Sequence, residues 1–595
     1  MRAALVTDVG STTTKALWFE PAGGRWRLLA RAESATTVEW PWEDVTIGVR
    51  QAVQLLGEEM GRGFVDNHGR LALGEAERYL STSSAGGGLQ MLVCGATRKL
   101  TAESAERAAL GAGAVILDVL ASDDGRPAFA KLASMRSLRP DMILLAGGVD
   151  GGNVQFALEL ADLLSAANPR ARFGGNFRLP VVYAGNVDAG PLVEDALGGR
   201  FSVKLVPNIR PRVDRENLAP AREAIHQLFM AHVMQHAPGY QELCCWVSAP
   251  ILPTPAAVSR MVQLLSEHLG SNLMVVDIGG ATTDVFTVFD GHFHRTVSAN
   301  LGMSYSAGNV LCRASAASIR RWLPYPSDDD EVWAQVATKM LHPTTLPAEP
   351  RDLWLEQAVA REALRLSLEH HRQLAVAPAK ELTPLERMRM SAEEQLRHMV
   401  ERPSLVDTSR LGMLVGSGGV LSHAPQRAQA ALMLLDGIQP TGRVELAVDS
   451  VFMLPHLGVL STVDQEAAME LLFGDCLVPL GTALCLEGRP SGRIAARISY
   501  RTAGGEPRQL QVPAGRLCVI PLGRDEETEV EITPGPGLKM PAGTTHFRVR
   551  GGVVGLIIDG RGRPLRFPAE ESERARQVAQ WLEDVGGGVD GAVQP

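Results

Sequence analysis

Two stretches far apart in the chain share one grammar: an apolar strand, Asp, an apolar residue, Gly, then a run of hydroxyls. The first is Asp8-Val-Gly10-Ser11-Thr12-Thr13-Thr14-Lys15, and the second is Asp277-Ile-Gly279-Gly280-Ala-Thr282-Thr283-Asp284. An Asp at a strand end can hold water on Mg²⁺, a glycine lets backbone N–H groups approach a phosphate closely, and the hydroxyls donate to its oxygens. One such run alone reads equally well as a structural turn after a strand. Two of them, with Lys15 in the first as a point charge for a β- or γ-phosphate, make a clamp on a nucleotide from both sides. A third piece, Leu414-Val-Gly416-Ser417-Gly418-Gly419-Val420, is a strand running into a glycine turn before a helix. By itself it is as often tight packing; in order behind the other two it completes a nucleotide site.

Composition narrows the function classes. At about 150 residues per domain, 595 residues hold roughly three to five domains. The 58 Lys and Arg against 67 Asp and Glu leave a net charge of −9, so no sequence-wide positive field exists to hold a polyanion. A nucleic-acid partner is disfavoured. The seven cysteines are odd in number and without C-x-x-C spacing, which suggests neither a disulfide framework nor a zinc knuckle. The N-terminus reaches Asp8 before any signal-length apolar stretch, and nowhere do 18 uncharged apolar residues stand in a row. The expectation is a soluble protein of a reducing cytoplasm, with no membrane partner.

Along the chain, residues 1–88 read as strands around the first Asp-Gly turn. Residues 89–215 alternate continuous apolar strands with helices, the texture of a parallel α/β layer buried on both faces. Residues 216–325 hold helices, one opening at Pro253-Thr-Pro-Ala-Ala-Val258, then the second Asp-Gly turn; 326–408 is charge-laced with helical spacing; 409–484 contains the Gly416–Gly419 turn. Residues 485–572 fall into short alternating runs, which predict a small β barrel or sandwich, and 573–595 predict a closing helix and a tail. The two strand–glycine–acid segments suggest an internal duplication.

The ordered set resembles the actin, sugar-kinase and heat-shock chaperone ATPase superfamily, with Asp8–Lys15 as first phosphate loop, Asp277–Asp284 as second and Gly416–Gly419 as adenosine loop. The resemblance implies a two-lobed α/β core of duplicated ribonuclease H-like domains, carrying an α/β insertion, a helical subdomain and a C-terminal β-rich domain. It also implies connecting helices at Pro253–Val258 onward and at Asp449–Leu472. More narrowly, the chain is similar to the accessory proteins of adenosylcobalamin-dependent glutamate (methylaspartate) mutase and related aminomutases, the reactivating factors. The match is carried by Asp8–Ala16, Ile143–Asn153, Tyr183–Asn186, Pro253–Val258 and Val275–Phe286, within residues 1–484. This closer resemblance implies ATP and Mg²⁺ as cofactors and a cobalamin mutase as protein partner. Asp8 and Asp277 would order the metal's waters; Thr12, Thr13, Lys15, Gly280, Thr282 and Thr283 would contact phosphates, beside Gly10, Ser11 and Gly279 of the same loops. Gly418 and Gly419, with Gly416 and Ser417 of their turn, would line adenine and ribose. Asp284 would help orient the attacking water, a turn or helix cap being the equal alternative. The implied function is a reactivating chaperone in which ATP binding and hydrolysis switch the angle between lobes and release damaged cobalamin. The alternatives are a small-molecule kinase on the same fold and a polymerising structural protein.

Other features carry less. Gly147–Asn153 ends a strand and opens a helix, where packing or a partner surface outweighs a second ligand. Asp66-Asn67-His68 is followed by Leu71 where a cobalt-ligand motif needs Gly, so cobalamin ligation is rejected. His370 and His371 read as a solvated helix face, and Cys244-Cys245 as core.

Overall fold

The computed structural model describes residues 2–587 apart from 11, 39, 67–70, 75–76, 85–88, 173–177, 230–237, 378–382, 392–393, 395–401 and 502–504. The chain divides into two units. The first comprises residues 1–261, 374–404 and 454–471, the second 262–373, 405–453 and 472–595.

The strands of the first unit are β1 (Ala3–Val9), β2 (Thr13–Ala22), β3 (Arg25–Ala35), β4 (Glu77–Ser83), β5 (Gln90–Gly95), β6 (Val115–Ala121), β7 (Met142–Ala146), β8 (Pro180–Tyr183), β9 (Ser202–Leu205) and β10 (Leu252–Pro253). One sheet has the order β10-β4-β1-β2-β3. β1, β2 and β3 form an antiparallel meander, while β4 runs parallel to β1 and β10 parallel to β4. Central β1 buries Ala3, Ala4, Leu5 and Val6 in succession, as a strand covered on both faces must. The helix Val45–Met60 lays Val49, Ala52, Val53 and Leu56 into this core; the Asp44 carboxylate accepts from Thr46 N–H at its start and Gly61 ends it in the left-handed region.

The alternating texture of 89–215 gives a second, wholly parallel sheet of order β6-β5-β7-β8-β9. Helices Glu103–Gly111, Ala128–Ser137, Gln155–Ala167 and Gly190–Leu197 lie between its strands, as parallel crossovers require.

The second unit repeats the first sheet. Its strands β11 (Leu273–Ile278), β12 (Thr282–Phe289) and β13 (His292–Ala299) are an antiparallel meander; β14 (Met413–Ser417) runs parallel to β11, and β15 (Gly442–Asp449) parallel to β14. This is the ribonuclease H-like arrangement, present once in each unit. Between β13 and β14 lie the helices Asp329–Leu341 and Pro350–Leu374, as the helical spacing predicted. That stretch is not one body, however. Residues 374–404 belong to the first unit, where Val376 pairs with Ser404 and Arg402 reaches Glu216.

The C-terminal region is β-rich, as expected, but it is no separate barrel. After β16 (Leu477–Cys485) come β17 (Glu487–Gly488), β18 (Ile494–Arg501), β19 (Pro507–Pro513), β20 (Leu517–Ile520), β21 (Glu527–Pro534), β22 (Leu538–Lys539), β23 (His546–Arg550) and β24 (Leu556–Asp559). Strands β24 and β20 extend the core sheet to the order β13-β12-β11-β14-β15-β16-β24-β20, while β19-β18-β21-β23 form a four-stranded sheet of their own. The physical reason is the apolar run Leu556-Ile-Ile558, buried throughout, which fits a central strand and not a half-solvated one.

The helix predicted from Pro253 spans Thr254–Leu269. The single connecting helix expected within Asp449–Leu472 is instead two, Leu454–Leu460 and Gln465–Leu471, the second started by the Asp464 carboxylate accepting from Ala467 N–H. Gly458 faces Ala257 so closely that a Cβ there would meet its carbonyl oxygen at 2.0 Å. Among the described residues no helix is long and apolar enough to cross a membrane.

Candidate functional site

The first Asp-Gly turn is the β1–β2 hairpin. Asp8 pairs in register with Lys15 and Val9 with Thr14, so the carboxylate and the ammonium stem leave one face of the sheet side by side. Gly10 N–H donates to Thr13 O at 3.0 Å, closing the turn, and a Cβ on Gly10 would meet that oxygen at 2.6 Å. Thr12 is exposed and Thr13 half-buried. Thr14 is buried, bonded to the Thr36 hydroxyl at 2.9 Å, which in turn donates to Gly10 O. Ser11 lies outside the described residues.

Asp8 is held by two residues that sequence reasoning missed. The hydroxyls of Thr82 and Thr254 donate to its Oδ1 at 2.8 and 2.7 Å. Thr82 is the register partner of Asp8 on parallel β4, and Thr254 is the first residue of its helix, directly after β10. The Pro253-Thr-Pro signal marked that helix start but not its target, because the target depends on strand order. Below the turn, Thr7 bonds both the Tyr79 phenol and Ser81, each at 2.9 Å, and the Tyr240 phenol bonds Ser83. Burial pushes both phenols above the ordinary tyrosine range, so they remain neutral partners under the carboxylate.

The second turn repeats this register. Asp277 pairs with Asp284 and Ile278 with Thr283, just as Asp8 pairs with Lys15 and Val9 with Thr14. Gly279 N–H donates to Thr282 O at 2.8 Å, the counterpart of the Gly10 bond. Gly280 is exposed and Thr282 half-buried. Thr283, expected to reach a phosphate, is fully buried and donates its hydroxyl to Leu301 O at 2.5 Å; it anchors the loop as Thr14 does in the first. Asp284 lies inside β12, where there is no helix or turn to cap. Its Oδ1 accepts from Arg295 Nε at 3.0 Å and Nη2 at 2.6 Å, and the Arg295 side chain is only 1% exposed. Arg295, from the neighbouring strand, is another residue that sequence spacing did not reveal.

The third turn meets the second. β14 pairs Ser417 with Asp277, and Gly418, at φ 96°, lies so close to β11 that a Cβ would meet Ile278 O at 2.1 Å. Only glycine tolerates both constraints. Of the four residues expected to line adenosine, Gly416, Ser417 and Gly418 are buried, and a Cβ on Gly416 would face Leu421 and Leu434. These three support the turn from within; Gly419, exposed at the start of helix Gly419–Ser422, is the one at the surface.

The Asp8 carboxylate fits the group expected of it. Asp8 has one oxygen fixed by two hydroxyls, and among the described residues its Oδ2 has no hydrogen-bond partner, which suits a carboxylate holding a hydrated Mg²⁺.

Other expectations resolve plainly. The Gly147–Asn153 loop is tied to its own chain: Asn186 N–H donates to Gly147 O, Asn186 Nδ2 to Gly152 O, and Asn208 Nδ2 to Gly148 O and to the Asp150 carboxylate. His371 is not on a solvated face but fully buried between the Thr287 and Thr296 hydroxyls. Cys244 and Cys245 are exposed rather than core. Of the rejected cobalt triplet, positions 67 and 68 lie outside the described residues.

Comparison with known proteins places these features in a family context. The profile of the family described as MutL protein matches residues 4–476. "Protein MutL" of Clostridium tetanomorphum is 32% identical over 502 residues, 79% of this chain and 98% of that protein. Among solved structures, nucleotide-free acetone carboxylase aligns over 86% of this chain and 81% of its own, with 13% identity and a TM-score of 0.33. The nucleotide-free diol dehydratase-reactivating factor aligns over 78% of this chain and 100% of its own, with 9% identity and a TM-score of 0.29.

Proposed function

The chain belongs to the MutL protein family, and from that premise we propose that it is an ATP-dependent reactivating chaperone for an adenosylcobalamin-dependent mutase of the glutamate mutase or aminomutase type. The observation that carries the reading is the duplicated turn: two hairpins of identical register, each closed by a glycine N–H, one presenting Asp8 with Lys15 and the other Asp277 with Asp284.

ATP with Mg²⁺ is the ligand in this reading. The metal would neutralise charge on the phosphate oxygens when bound. The chain's own residues do the rest. Asp8, its carboxylate fixed by Thr82 and Thr254, and Asp277 would hold the hydrated metal; Lys15 would set an ammonium against the β- or γ-phosphate; Gly10, Gly279 and Gly280 would let the backbone come close, while Thr12, Thr13 and Thr282 would offer hydroxyls. Asp284, oriented by the buried Arg295, positions the attacking water. Hydrolysis then drives the conformational change that frees damaged cobalamin from the mutase. The protein works in the cytoplasm beside its partner enzyme.

The test is phosphate release by the purified chain with and without an inactivated glutamate mutase or aminomutase, together with recovery of mutase activity on adding intact coenzyme. ATP-dependent recovery is expected. Transfer of phosphate to a metabolite, indifferent to any mutase, would replace this reading with a small-molecule kinase.

A further inference from the structure

The loop from Thr36 to Asp44 stands on the first Asp-Gly turn. Thr36 N–H donates to Thr12 O at 2.9 Å and its hydroxyl to Gly10 O at 2.9 Å; Asp44 N–H donates to Thr37 O at 2.9 Å and closes the excursion. Val38 and Val45, on either side of the tip, are buried in the core of the first unit. The tip between them is not: Trp40 is 83% and Trp42 60% exposed. Single exposed apolar residues are ordinary, but two indoles within three residues put a large apolar area into water at one spot.

Covalent spacing alone keeps them together. At no more than about 3.6 Å per residue, Trp40, Trp42 and the exposed Glu43 lie within about 11 Å of one another along the backbone. The surrounding sequence is of one sign. Residues 32–49 hold Glu33, Glu39, Glu43 and Asp44 and no Lys or Arg, and the next cation, Arg50, is paired with Glu242 at 2.6 Å.

We propose that this tip docks a Lys- or Arg-rich segment of a partner protein, whose cations lie over the faces of Trp40 and Trp42 beside the Glu43 carboxylate. An indole face attracts a cation through its ring quadrupole, and Trp does so best among the aromatic side chains. Trp and Arg are also the residues in which protein interfaces concentrate their binding. The acidic stretch adds the longer-range attraction that selects a basic partner and speeds its approach. An acidic protein surface or an anionic membrane meets repulsion instead.

The docking is independent of the nucleotide reading; that the partner is a cobalamin mutase, and that nucleotide tunes the grip, rest on the chaperone reading. The hydrogen bonds of Thr36 make the base of the loop and the first turn one piece, so a phosphate that engages Thr12 and a cation held at the tip bias each other.

The experiment uses the full chain and a fluorescein-labelled peptide of about 12 residues alternating Arg and Gly, with Glu for every Arg in the control, at about 0.15 M salt. Fluorescence anisotropy should show binding of the arginine peptide only. The double variant Trp40→Ala with Trp42→Ala, which changes no charge, should weaken it about tenfold or more, and Glu43→Gln about threefold. All three positions are exposed, and circular dichroism checks that the variants remain folded. Equal binding of both peptides, or binding unchanged in the double variant, would overturn the docking. So would a dimer in sedimentation, or binding to phosphatidylcholine vesicles, that the double variant loses, since either gives the tip to another occupant. In the recovery assay with an inactivated mutase, the double variant should act about tenfold more slowly than the parent chain. Equal rates would remove the mutase as the tip's partner, whereas a parent chain that restores no mutase counts against the chaperone reading and leaves the peptide result standing. Adding magnesium-ATP should shift the arginine peptide's Kd by about threefold or more; an unchanged Kd, with ATP binding itself confirmed by calorimetry, removes the coupling, whereas absent ATP binding counts against the nucleotide reading instead.

Discussion

At the scale of single residues, the proposed site is a matter of which oxygens are already committed. Asp8 has Oδ1 taken by Thr82 and Thr254, which fixes the carboxylate's direction. Asp8→Ala and Asp277→Ala should each reduce ATP turnover by about two orders of magnitude or more in a phosphate-release assay, and unchanged turnover in both would show that the metal site lies elsewhere. Thr254→Val keeps the shape but removes one donor. It should lower turnover by about tenfold and raise the Mg²⁺ concentration needed for half-maximal rate, at a stability cost of about 1 kcal/mol. Gly418→Ala should lower the melting temperature by several degrees, because a Cβ would stand 2.1 Å from Ile278 O in a backbone conformation that L side chains rarely adopt. The carboxylates and glycines were legible in the sequence because their chemistry is local. Thr82, Thr254 and Arg295 were not, because each acquires its role only from the strand beside it.

At the scale of elements, hairpin register decides what the two turns offer. The seven-residue spacing from Asp8 to Lys15 and from Asp277 to Asp284 becomes a cross-strand pair only when a glycine N–H closes each turn. Alternation then sends Thr14 and Thr283 inward and their neighbours outward, which is why Thr283 anchors and Thr282 is presented. The same inward direction buries His371 between β12 and β13, bonded to Thr287 at 2.8 Å and Thr296 at 2.9 Å. Burial holds its pKa well below the ordinary imidazole value, helped by His294, His370 and Arg372 nearby. The imidazole is neutral in the folded chain and protonates first in the unfolded one. Its contribution to stability is therefore complete above about pH 6.5 and is lost as pH falls from there through the depressed folded value. Thermal melts should decline from pH 7 to pH 5 in the parent chain and less steeply in His371→Gln; an equal slope in both would exclude this origin.

For the molecule as a whole, the C-terminal region is structural to the second unit. Arg361 and Arg561 both bond Asp436 at 2.8 Å, Arg561 also bonds Asp559 at 2.8 Å, and the Arg561 guanidinium stacks on Trp581 at 4.6 Å. Four segments are thereby tied in one buried network: helix Pro350–Leu374, helix Arg427–Ile438, the end of β24 and the closing helix Glu571–Asp584. Truncation after Cys485 removes β24 and β20 from the core sheet and strips Asp436 of a partner. The expected product is aggregated and binds no ATP, whereas a detachable module would leave a soluble, folded remainder in gel filtration. Asp559→Ala should destabilise by about 3–5 kcal/mol in denaturant titration, since it leaves buried guanidinium charge unpaired. Burial alone would raise the Asp559 pKa, but Arg561 and Arg563 more than reverse this and hold it well below the usual carboxylate range. Its stabilisation is present above about pH 4 and lost as pH falls below that.

Local chemistry in the chain determined the α/β class, the three glycine turns in their order, the parallel layer of residues 89–215 and the place of Asp8 and Asp277 at the strand ends. Each of these depends on residues adjacent in sequence: an apolar run, an Asp at its end, a glycine where backbone must approach closely. Tertiary structure alone decided that Thr82 and Thr254 orient Asp8, that Arg295 holds Asp284, that Gly416 to Gly418 face inward, and that β20 and β24 complete the core sheet. Those outcomes depend on strand order and register between segments distant in the chain. Hydrophobic patterning reports which face of a strand is buried, and it carries no record of which neighbour does the burying.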